Sequence, residues 1–173
     1  EMLVVGDSFI WGQGLREPDK FYSIVRNWLE SEVFGNSRRV NLKVKAHSGS
    51  KIILPEKQLA EMRRCGEDPE QFHYPEADLS FPSITFQIDA ARKEYANPDS
   101  VKLVMLSGGI TDLVVRNTVN PFLRESKMRK MIHRYSHAAM RDLLLQIAAN
   151  FPEALIVVVG YFPIISTKSD VNK

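Results

Sequence analysis

Cysteine is nearly absent from the sequence. Cys65 stands alone, so no disulfide framework can form within the chain, and a single thiol names no compartment. Long hydrophobic runs are missing too, with nothing near the roughly 20 apolar residues that span a bilayer. These residues contain no signal-peptide pattern, but they open inside an apolar strand, so a trimmed leader is compatible with them and the compartment is left open. Neither charge is in surplus. With 23 basic and 21 acidic side chains the formal net charge is +2, which makes no overall case for nucleic acid or another polyanion. Basic and aromatic residues are not interleaved in the manner of a nucleic-acid binder.

Phosphate-cradling loops are equally absent. Gly12-Gln13-Gly14 has no third glycine to complete a dinucleotide fingerprint, and no Gly-x-x-x-x-Gly-Lys stretch exists. Ser48-Gly49-Ser50 lacks the flanking glycines of a Gly-x-Ser-x-Gly nucleophile elbow. Histidine is scarce, the four being His47, His73, His133 and His137. His133 and His137 stand four apart on one helix face, yet Lys130, Arg134 and Arg141 lie among them. That disfavours a bound cation and favours a solvated basic face. No metal and no cofactor is expected.

What is present is an alternation of strand and helix signals. No repeat, low-complexity tract or linker interrupts the 173 residues, so residues 1–173 read as one domain. Met2-Leu3-Val4-Val5 is a short apolar run ended by Gly6-Asp7-Ser8. Phe21, Ile24, Val25, Trp28 and Leu29 recur at helical spacing up to Gly35-Asn36. Residues 40–46 alternate apolar and polar, which predicts an edge strand with Lys43 and Lys45 on its wet face. His47-Ser48-Gly49-Ser50 follows and leads to a helix through about Arg64. Cys65 to Ser80 reads as a long loop, a class that often serves as a lid or binding loop. Pro82 opens a helix with Ile84, Ile88, Ala91 and Tyr95 on one face. Residues 101–106 form a third strand that stops at Ser107-Gly108-Gly109-Ile110-Thr111-Asp112. A helix from about Ser126 to Ala149 carries the stripe Met128, Met131, Ile132, Tyr135, Ala139, Leu143 and Ile147. Leu155 to Val159 is a nearly all-apolar strand expected to be buried. This order predicts a parallel sheet covered on both faces.

Chemistry gathers at the carboxyl ends of such strands. Three of them carry glycine and small polar residues: Gly6-Asp7-Ser8, Ser48-Gly49-Ser50 and Gly109-Ile110-Thr111-Asp112. A serine needs a base and donors for an oxyanion before it attacks an acyl group. Ser8 suits the nucleophile. The backbone N–H groups of Ser8 and Gly49 can point at one oxygen, glycine allowing close approach. Asp7 is expected to shape its turn and Asp112 to fix the third-strand loop. The plainer alternative is that Gly-Asp-Ser is a turn and helix cap.

In these blocks the chain resembles the SGNH, or GDSL-type, hydrolases. Gly6-Asp7-Ser8-Phe9 matches the first block, Ala46-His47-Ser48-Gly49 is similar to the second, and Gly109-Ile110-Thr111-Asp112 sits where Gly-x-Asn-Asp is expected. The resemblance implies a flavodoxin-like three-layer α/β sandwich whose five strands run in order 2-1-3-4-5. It implies Ser8 as nucleophile, Gly49 as oxyanion donor and no cofactor. Two departures stand out. Thr111 replaces the third-block asparagine and is the candidate third oxyanion donor in its place, with a shorter side chain and one hydrogen-bond donor. The last block, Asp-x-x-His, has no counterpart. The resemblance thus leaves the catalytic histidine outside these residues. His47 follows a strand at a position the family does not use, so its first reading is a local hydrogen-bonding role, with a catalytic part as the lesser alternative. The expectation is a chain that continues past Lys173, where a fifth strand and last helix would carry the base.

The activity implied is cleavage of a carboxylic ester, or removal of an acyl group, through an acyl-serine on Ser8. A small-molecule, carbohydrate or lipid ester would be the substrate. A reading of another class is a non-catalytic binding or interaction domain on the same scaffold. Thr111 and the missing base favour it, and the intact Gly6-Asp7-Ser8 opposes it. A nucleotide-binding flavodoxin-like domain is a third, without a phosphate loop to support it.

Overall fold

In the computed structural model, residues 1–113 and 122–161 are described. The strands β1 (Met2–Val5), β2 (Leu42–Val44), β3 (Leu103–Leu106) and β4 (Leu155–Val158) run parallel in the order β2-β1-β3-β4. Val4 lies between Val44 and Met105, and Leu106 lies beside Val158. The order is the one the resemblance implied for the first four strands.

Successive side chains of a strand point to opposite faces. In β1 this sends Leu3 and Val5 one way and Met2 and Val4 the other, and all four are buried because helices cover both faces. Leu3, Val5, Val104 and Leu106 pack with Ile84, Ile88 and Ala91 of one helix and Leu143 and Ile147 of another. Met2, Val4 and Met105 pack with Ile10 and Tyr22 on the opposite face, flanked by Val25 and Leu29. The helices are α1 (Ser8–Trp11), α2 (Phe21–Trp28), α3 (Glu56–Arg64), α4 (Ile84–Glu94), α5 (Glu125–Met131) and α6 (Ala139–Asn150). Single turns of 3₁₀ helix occupy Glu17–Asp19 and Pro98–Ser100. π-Helical turns extend α2 over Leu29–Val33 and join α5 to α6 over Ile132–Ala138. Ser83 caps α4 by accepting the Phe86 N–H, so this helix starts at Ile84 rather than at Pro82.

Three expectations are corrected. β4 is not buried: Leu155 is 67% exposed and Val158 is also open, because β4 has a strand neighbour on one side only among the described residues. The stripe of the long helix is divided. Leu143 and Ile147 enter the core, whereas no residue of α5 is buried and Ile132 and Tyr135 stay exposed. Lys43 and Lys45 do not face open water, since both pair with Glu94 of α4 across the end of the sheet.

One approach fixes the spacing of the central strands. Gly6 has φ +142°, and a Cβ there would clash with the Ser107 carbonyl oxygen and lie 2.9 Å from its nitrogen and 2.8 Å from Ile10 Cγ2. Glycine is the side chain that fits. Gly14 also has a positive φ, +79°, but has open space around it. Gly6→Ala should therefore lose about 3 kcal/mol or more in urea unfolding, from overpacking and backbone strain together. Gly14→Ala should lose only the strain, about 1–2 kcal/mol. Equal losses at the two positions would contradict the close-approach argument.

Candidate active site

The end of β1 is organised by the Asp7 carboxylate, which is fully buried. As cap of α1 it accepts the Phe9 N–H at 3.1 Å. The Ser107 hydroxyl, at the end of β3, donates to the same oxygen at 2.6 Å and accepts the Ile10 N–H at 3.3 Å. The Tyr161 hydroxyl, beyond the end of β4, donates to the other oxygen. Tyr161 also packs its ring on Phe9 at 5.3 Å. Burial, reinforced by the Asp7 charge, raises the Tyr161 pKa well above the phenol range, so it remains a donor. Asp7 thus connects the ends of β1 and β3 with the residues beyond β4.

Ser8 opens α1 and is half-buried. The next two amides of the first turn are taken, Phe9 by Asp7 and Ile10 by Ser107. The Ser8 N–H and the Ser8 hydroxyl have no hydrogen-bond partner among the described residues. Gly49 is buried beneath the long loop, and a Cβ there would lie 2.5 Å from Asp78 Oδ1 and 2.6 Å from the Leu79 carbonyl oxygen. Its φ of +80° also favours glycine. The Gly49 N–H likewise makes no hydrogen bond among the described residues. A buried amide without an acceptor is uncommon, and it is available to a ligand oxygen.

Gln87 of α4 ties the first two blocks together. It is fully buried; its carbonyl oxygen accepts the Gly6 N–H at 2.8 Å, and its amide donates to the Gly6 carbonyl at 3.1 Å and to Ser50 Oγ at 3.0 Å. The Ser50 carbonyl in turn accepts the Thr111 hydroxyl at 2.6 Å. A threonine has one hydroxyl proton, so Thr111 in this arrangement cannot also donate to an oxyanion. It links the second and third strand ends instead. Asp112 accepts the Ile52 N–H through both oxygens, at 3.0 and 3.2 Å. Burial outweighs these bonds and raises its pKa to about 6. It lines a cleft of about 500 Å³ with Lys51, Glu56, Arg134 and Tyr135.

The long loop is anchored at both ends of the site. Glu76 accepts the Trp11 Nε1–H at 3.1 Å and the Gly14 N–H at 3.2 Å. Ser48 pairs through its backbone with Pro75 and Leu79. His47 is buried, with Nδ1 donating to the Ser48 carbonyl at 2.8 Å. Its Nε2 has no hydrogen-bond partner among the described residues, and burial lowers its pKa. No hydrogen bond joins any described histidine to Ser8. His73 packs edge-on against Phe81, and the His133 and His137 rings meet edge-on at the surface. No group of three or more His, Cys, Asp and Glu side chains among the described residues could hold a metal ion.

Gln87, Ser107, Tyr161 and Glu76 are the members that sequence reasoning missed. For Gln87 a signal existed: it falls between Ile84 and Ile88 on the apolar face of its helix, where a polar residue must find a partner. The other three carried none.

No protein-family model matches the chain, and no curated protein matches it by sequence. Two solved structures are similar to it. A phospholipase A1 from Streptomyces albidoflavus is 14% identical over 96% of this chain and 62% of its own, with a TM-score of 0.49. A carbohydrate esterase, whose active site is described as having divergent catalytic and non-catalytic binding functions, is 18% identical over 91% of this chain and 47% of its own, with a TM-score of 0.42.

The Asp112 pKa gives stability a pH dependence with a definite sign. Below about pH 4 both folded and unfolded chains hold the proton, and between about 4 and 6 the folded protein holds it more tightly. Stability from this group is therefore lost as pH rises through that window, by about 3 kcal/mol in all. Asp112→Asn should remove the loss, which urea unfolding from pH 4 to 7 would read as a gain over wild type that grows with pH. Parallel pH profiles for the two proteins would show that the carboxyl is not destabilised by burial.

Proposed function

We propose that the protein is a serine ester hydrolase acting on a small-molecule, carbohydrate or lipid ester. The Ser8 hydroxyl oxygen attacks the acyl carbon, the bond from that carbon to the alcohol oxygen breaks, and water releases the acid from acyl-Ser8. The negative oxygen of the tetrahedral stage would lie between the Ser8 and Gly49 N–H groups. One observation carries this reading. Asp7 and Ser107 satisfy the Phe9 and Ile10 amides of the first turn, and among the described residues the Ser8 N–H and the Ser8 hydroxyl have no partner at the carboxyl edge of a central strand. The resemblance of the three blocks to SGNH hydrolases supports the same assignment. Attack also requires a base that takes the Ser8 proton, and no described side chain hydrogen-bonds to Ser8 Oγ.

A second reading, a non-catalytic domain that binds an acylated ligand at the same edge, is favoured by a specific observation. The Thr111 proton is committed to the Ser50 carbonyl, so the third block offers no side-chain donor to an oxyanion.

The expected result is hydrolysis of a short-chain p-nitrophenyl ester that falls by about 10³-fold or more in Ser8→Ala, with unchanged far-UV circular dichroism. Turnover undiminished in that variant would exclude Ser8 as nucleophile. Absent turnover in the wild-type protein, with calorimetric binding of an acylated sugar, would select the second reading.

A further inference from the structure

The near-neutral total charge conceals an uneven distribution. Residues 124–141 carry six basic side chains (Arg124, Lys127, Arg129, Lys130, Arg134 and Arg141) and one acidic one, Glu125. The rest of the chain holds 17 basic and 20 acidic side chains and is net acidic. Arg129 pairs with Glu125 at 2.7 Å and Arg141 with Asp142 at 2.8 Å. Lys127, Lys130 and Arg134 have no ion-pair partner among the described residues.

These cations sit on a helix with a second, apolar side. At about 100° per residue through α5, and a smaller step in the π-helical turns that follow, Met128, Met131, Ile132 and Tyr135 still fall on one half of the cylinder, and Arg129, Lys130, His133 and Arg134 on the other. The core uses that apolar half only in part: Met128 and Met131 are half-buried, no residue of α5 is fully buried, and Ile132 and Tyr135 are 43% and 40% exposed. A polyanion such as nucleic acid would engage the cations and leave the apolar half in water. An anionic lipid surface satisfies both, with phosphates for the cations and the acyl boundary for Ile132 and Tyr135.

We propose that α5 and the turns through Ala138 form a membrane-surface element that lies on bilayers containing anionic lipid. It binds in the interfacial plane and does not span, since no helix among the described residues is long and apolar enough to cross a membrane. Arg134 and Tyr135 also line the cleft that holds Asp112, so binding would bring this edge of the sheet to the lipid surface. The inference is independent of the chemistry at Ser8.

The test is co-sedimentation of the purified protein with vesicles of phosphatidylcholine alone or mixed with phosphatidylglycerol, at 50 and 500 mM salt. The expected result is partition onto the mixed vesicles at low salt and little onto phosphatidylcholine. The triple variant Lys127→Glu, Lys130→Glu, Arg134→Glu should lose at least about tenfold in partition, with unchanged circular dichroism. Ile132→Ser should also weaken partition, which a purely ionic attachment would not do. No binding to the mixed vesicles, or equal binding by the triple variant, would overturn the proposal. Binding to heparin without binding to vesicles would overturn it too, and would assign the patch to a soluble polyanion.

Discussion

The carboxylate of Asp7 is the constraint on which the site depends. It is buried at the end of β1 and holds the ends of β3 and β4 through Ser107 and Tyr161 while capping the short helix that starts at Ser8. A buried carboxylate is costly unless its oxygens are hydrogen-bonded, and these donors meet that need. The same bonds fix where Ser8 stands. A serine in this position inherits its orientation from a strand, a cap and two hydroxyls, and owes little to loop geometry.

The neighbouring contacts extend this rigidity across the sheet edge. Gly6 admits the β3 backbone, and Gln87 grips the Gly6 peptide and Ser50 from beneath. Thr111 closes the chain of bonds from β3 back to the second strand end. Among the described residues the groups at this edge without a partner are the Ser8 hydroxyl, the Ser8 and Gly49 amides, Ser48 Oγ and His47 Nε2, while Asp7, Ser107, Gln87, Ser50 and Thr111 are all hydrogen-bonded. Donors held in place before a ligand arrives need no reorganisation to meet a developing charge.

Much of the fold was legible because apolar runs and their terminators are local features. Met2-Leu3-Val4-Val5 before Gly6, and Leu103 to Leu106 before Ser107, announce parallel strands in the sequence itself. That the segments around Ser8, Gly49 and Asp112 follow strand ends was legible for the same reason. The bonds that assemble them were not, since they join residues 81, 100 and 154 positions apart. Periodicity cannot report such partners. It also cannot tell a buried apolar stripe from an exposed one, and so Leu155 and Ile132 read like core although they are open. Thr111 shows the reverse case: the residue type suggested a donor, and only its contact with the Ser50 carbonyl revealed where the proton goes.

The central claim is that an activated or activatable serine stands at the end of β1. The most direct measurement is treatment with a fluorophosphonate, followed by intact mass and peptide mapping of any adduct. The account predicts one phosphonyl group per chain, on Ser8 and on no other serine. An unlabelled protein, or a label elsewhere with Ser8 unmodified, would contradict it.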